Sequence, residues 1–134
     1  MNVFEYTEKL RMALMQDKEL RDLLGAGEPR NDYLFISKFR TGDRENIEYD
    51  PRLLDFIAFY FVGANATNNA YVNKGILRIE IYAKDADDVP VIRERIVTVM
   101  HNAFDQRVYA EGWRRASIEG VYKYRLEFMP LIFN

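Results

Sequence analysis

The chain has 134 residues, 49% hydrophobic and 14% aromatic, which suits one domain (1–134) able to bury a core without disulfides or a structural metal. Its 19 basic and 21 acidic residues leave a net charge of −2, which argues against a dedicated nucleic-acid-binding domain built on a basic stripe. The absence of cysteine excludes disulfides, thiolate zinc sites, iron–sulfur clusters and cysteine nucleophiles, and no stretch approaches the roughly 18 apolar residues of a membrane span.

Charges near the N-terminus stand where a signal peptide needs an apolar run, so no sorting signal is expected. Val3, Tyr6, Leu10, Ala13 and Leu14 recur at helical spacing. Asp17 reads as the N-cap of a second, shorter helix over 18–24, which Gly25 ends in a left-handed cap. Residues 33–39 (YLFISKF) predict a strand, and the charged run 40–52 predicts a loop.

Residues 53–62 (LLDFIAFYFV) are apolar on both alternating faces apart from Asp55, as in a strand covered on both sides. The asparagine-rich run 63–75 predicts a long hairpin connection. Over 76–83, Leu77, Ile79 and Ile81 point one way and Arg78, Glu80 and Tyr82 the other. Asp85, Asp87 and Asp88 precede a helix with Pro90 in its first turn and a buried stripe of Ile92, Ile96, Val99, Met100 and Ala103. A loop over 105–112 then leads to a hairpin of strands 113–119 and 121–129 turning at Gly120. In the second strand Tyr122, Tyr124, Leu126 and Phe128 share one face, and Lys123, Arg125 and Glu127 the other. Pro130 ends that strand and leaves an apolar tail, Leu131-Ile132-Phe133.

The order α(α)-β-β-β-α-β-β predicts an α+β fold: an antiparallel or mixed sheet of about five strands with two main helices packed on one face. The opposite face would mix the charges of Arg78, Glu80, Lys123, Arg125 and Glu127 with apolar residues of the greasy strand. Such a face suits protein–protein contact.

Little chemistry is legible. The three aspartates stand at a strand-to-helix turn, a place for a magnesium ion, but capping and favourable charge at a helix N-terminus explain them more simply. His101 is the single histidine and has no nameable partner for catalysis. The glycines around 25–27 follow a helix instead of preceding one, so they do not form a phosphate loop. No enzyme activity, cofactor or metal is expected. Trp113, Arg114 and Arg115, with Tyr122 and Tyr124, offer an alternative: a small module that stacks on single-stranded nucleic acid.

Five segments together resemble the tail-completion and tail-terminator proteins of long-tailed bacteriophages. They are the phrase DKELRDLLG (17–25), the greasy strand FIAFYFV, the strand LRIEIYA (77–83), the spacing of Ile92 and Ile96, and the closing YRLEF (124–128). The resemblance covers nearly the whole chain in element order. It implies a virion structural protein, made in the host bacterial cytoplasm, without cofactor or reaction. Such proteins form a ring, commonly a hexamer, on the head-proximal end of the tail tube. The ring stops tube growth and joins the tail to the DNA-filled head. Partners would be other copies of the chain (monomeric before assembly in some members), the tube protein and a head-tail connector, with DNA only passing through the lumen. A ring subunit needs a head-to-tail interface. Expected contributors are Arg44 and Glu45 from the first loop, and Asn65, Asn68, Asn69, Tyr71, Asn73 and Lys74 from the second. Arg78 and Lys123 would serve on the sheet face, and Leu131 and Phe133 in the tail.

Overall fold

Helix α1 (Val3–Gln16) starts where the Asn2 side chain accepts the Glu5 amide at 2.8 Å. Tyr6, Leu10 and Leu14, spaced by four, bury one face of it. Asp17 stops α1 and caps α2 (Lys18–Leu24), its carboxylate accepting the Leu20 amide at 3.0 Å. Gly25 closes α2 at φ 67°, a left-handed conformation that a side chain would oppose. The coordinates are a computed structural model describing residues 1–42, 50–63 and 72–133, with the side chains of 72–74 and 133 left aside.

The predicted strand over 33–39 is corrected. Asp32 caps a short helix α3 (Tyr33–Ile36) through the Phe35 amide at 2.9 Å, and only Phe39–Thr41 forms strand β1. A short apolar run cannot by itself separate strand from helix, and the aspartate ahead of it decided for helix. A 3-10 turn (Pro51–Leu53) then precedes β2 (Phe56–Val62), which is three residues shorter than predicted. Further along come β3 (Val72–Lys74), β4 (Ile76–Ala83), α4 (Asp88–Phe104), β5 (Ala110–Arg114), β6 (Tyr122–Phe128) and β7 (Leu131–Phe133).

The fold is α+β. A five-stranded mixed sheet runs in the order β1-β2-β4-β6-β5, with β1 parallel to β2 and the other pairs antiparallel. On one face Ile57, Phe59, Leu77, Ile79, Ile81, Leu126 and Phe128 meet Leu10, Leu14, Leu20, Ile92, Ile96 and Met100 of the helices in the main core. Truncating such a buried leucine to alanine costs about 2–5 kcal/mol. Asp17 also receives a two-pronged hydrogen bond from Arg95 of α4, at 2.7 and 2.6 Å, so the residue that caps α2 also ties it to α4.

Three further expectations are corrected. Ala103 is exposed, because the stripe of α4 runs through Ile96, Met100 and Phe104, whose ring lies 4.7 Å from Tyr6 of α1. The last hairpin begins earlier than predicted and its first strand is shorter: β5 takes in Gly112 and ends at Arg114, because pairing with β6 overrides the poor strand propensity of glycine. The apolar tail is itself a strand. β7 pairs with β3, Leu131 opposite Lys74 and Phe133 opposite Val72, and its Ile132 is buried in the core. The run 63–75 therefore contains a strand near its end. Among the described residues, no helix is long and apolar enough to cross a membrane.

Candidate assembly surface

The register of the sheet sets the chemistry of the face turned away from the helices. Opposed residues form rows across the strands: Tyr60, Arg78 and Glu127; Ala58, Glu80 and Arg125; Phe56, Tyr82 and Lys123. Opposite charges thus fall side by side. Arg78 donates to Glu127 at 3.1 Å, and Glu80 takes Arg125 at 2.9 Å and Lys123 at 3.2 Å. Lys123 also lies over the Tyr82 ring, which stacks on Phe56 at 4.7 Å. Burial pushes the Tyr60 hydroxyl above its usual range, with the Glu80 charge adding to the effect.

This face is apolar and charged together, as expected, but its charges are not offered to solvent. Glu80 and Lys123 are buried and form an ion pair at 3.2 Å, so Lys123 is not the exposed contact residue that was expected. Arg78 is partly exposed and already engaged by Glu127. Leu131 is 64% exposed, next to exposed Met129, and is the one expected site residue whose described side chain stands open to a partner. Asn73 and Lys74 lie in β3, and Phe133 in β7, by their backbones. Arg44, Glu45, Asn65, Asn68, Asn69 and Tyr71 lie outside the described residues.

No protein-family model and no curated protein matches the chain.

Of the aspartates before α4, Asp88 puts its charge in the first turn as expected, but the expected side-chain cap does not form. Asp87 stands at the N-cap position but makes no side-chain capping bond; the turn is held by the Asp88 amide donating to the Asp85 carbonyl at 3.2 Å. Among the described residues no group of three His, Cys, Asp or Glu side chains is placed to hold a metal, and His101 is exposed on α4.

Sequence reasoning passed over a polar cluster at the junction of α2, the 3-10 turn, β2 and α4. The buried Lys38 ammonium donates to the carbonyls of Leu24, Leu53 and Asp55 at 2.6, 3.1 and 2.9 Å. All three ammonium donors are used, so the amine is a charged tie and no nucleophile. Burial lowers its pKa, and the Asp55 charge opposes that effect. Asp55 accepts the Lys84 amide at 2.9 Å. Desolvation, together with the neighbouring Asp88 carboxyl, pushes Asp55 up to about 6. The signal available beforehand was a single charge set inside each of two apolar runs, YLFISKF and LLDFIAFYFV.

Proposed function

We propose that the chain is a non-enzymatic subunit of a ring that caps a phage tail tube and joins the tail to the head. The observation carrying this reading is the arrangement of elements: two helices, three strands, a helix and two strands built into one mixed sheet along nearly the whole chain. That is the order carried by the sequence resemblance. The β3–β7 ribbon adds a place for contact. Ile132 anchors it in the core while Leu131 and Met129 stay exposed, a pairing of rigid support and open apolar surface that suits a subunit contact.

Complementation of a tail-joining mutant with Leu131→Glu tests the reading. The side chain is exposed, so the variant should fold and melt like the parent. Electron microscopy of the lysates should then show filled heads and tails that accumulate unjoined, or tails of abnormal length. Infectious particles at parental yield would remove Leu131 from the contact. Failure of the parental chain to complement any such mutant would remove the function.

A further inference from the structure

The last hairpin of the sheet exposes apolar side chains at one end of β6. The register sets Trp113 opposite Tyr124, on the face that carries the helices, and Tyr122 lies on that same face. The indole meets Tyr124 at 5.2 Å and 82°, and Tyr122 at 6.4 Å and 75°. Trp113 nevertheless stays 51% exposed and Tyr122 46%. The charges beside these rings are matched within the chain: Glu111 takes Arg93 of α4 at 2.7 Å and the Tyr124 hydroxyl at 2.6 Å. On this face the end of the hairpin offers a partner flat apolar surface.

The opposite end of β6 carries a different apolar patch. There the chain leaves the strand through Met129, also 46% exposed, and reaches Leu131, which stands outside while its neighbour Ile132 enters the core. At about 3.4 Å per residue, β6 holds these two side chains about 20 Å from the rings. The two patches therefore cannot meet within one chain.

We propose that these patches are the two halves of one contact between copies of this chain, Leu131 and Met129 of one copy resting on Trp113 and Tyr122 of the next. A thioether and branched methyls pack well against aromatic rings. Each copy carries both halves at opposite ends of one strand, so the contact is head-to-tail and leaves a free half for a further copy, as a ring requires. Like patches set against each other would instead close a dimer. Few side chains take part on either side, so the buried area stays below the roughly 1,200 Å² of a stable interface, and the association is weak. The pairing rests on the reading of Leu131 as a subunit contact and names what that residue touches.

Trp113 is the single tryptophan, so its emission reports on the ring patch. In the purified chain that emission should move to the blue as concentration rises and the indole leaves water. Leu131→Glu should abolish the shift while leaving the emission of the dilute protein unchanged, an effect across β6 that only a contact between chains produces. The chain has no cysteine, which allows a second test. Leu131→Cys and Tyr122→Cys, made in separate chains and mixed under oxidising conditions, should form a disulfide-linked dimer, and either variant alone should not. Circular dichroism checks that the variants stay folded. Emission that ignores concentration, or a mixture that cross-links no better than its components, would overturn the pairing. Linked dimers from Leu131→Cys alone would also overturn it and make the contact symmetric. If Leu131→Glu blocks the joining of heads and tails while the mixture stays unlinked, Leu131 meets the tube or the connector: the pairing falls and the tail reading stands.

Discussion

Asp55 shows how one side chain couples this fold to pH. Its carboxyl rises from 3.8 in the open chain to about 6 in the fold, through desolvation first and the adjacent Asp88 second. The folded state therefore holds a proton that the unfolded chain has released. This contribution to stability is fully present below about pH 4 and lost as pH rises to about 6, on the order of 3 kcal/mol in all. Asp88→Asn removes the like charge and leaves an amide that can donate to Asp55. The loss between pH 4 and 6 should then shrink, measured by urea unfolding across that range. An unchanged slope would place the cause wholly in burial.

Among the elements, the contact between α2 and α4 turns on one carboxylate. Asp17 caps α2 and also receives both prongs of Arg95. The Arg95 hydrogen bond is the main cause holding its pKa below the usual range, so the stability it adds is present above that range and lost as pH falls through the lowered value. Asp17→Ala should cost about 1–2 kcal/mol from the cap alone. A double-mutant cycle with Arg95→Gln should show coupling between about 0.5 and 3 kcal/mol, above that of the exposed Lys18–Asp22 pair, whose charges solvent screens. Equal coupling in the two pairs would mean that Arg95 is only a surface charge.

For the whole molecule the issue is how strongly the subunit associates. The charges facing away from the helices are matched within the chain, and the exposed apolar side chains near the β3–β7 ribbon, Met129 and Leu131, are few. A surface of that kind supports a transient contact and not an obligate core. Sedimentation velocity over a wide concentration range should show monomer when dilute and higher species only when concentrated. A dimer persisting at nanomolar concentration would have the wrong symmetry for a ring.

Local pattern was enough to determine α1, α2 with its Asp17 and Gly25 caps, the alternation of β4 and the fold class, because helix and strand periods are written in consecutive residues. It also placed Glu80, Lys123 and Arg125 on the same face of the sheet. That Glu80 and Lys123 bury each other depends on which strand lies beside which, and only the tertiary structure decided it. The same holds for β7, whose partner β3 lies far along the chain, and for the Lys38 tie, whose three carbonyls come from segments distant in sequence. The aspartates before α4 followed this rule too: composition suggested capping, but the turn left Asp87 without a side-chain bond and brought Asp88 to Asp55. Contacts between distant residues leave no period in a sequence, so side-chain partners had to come from the fold.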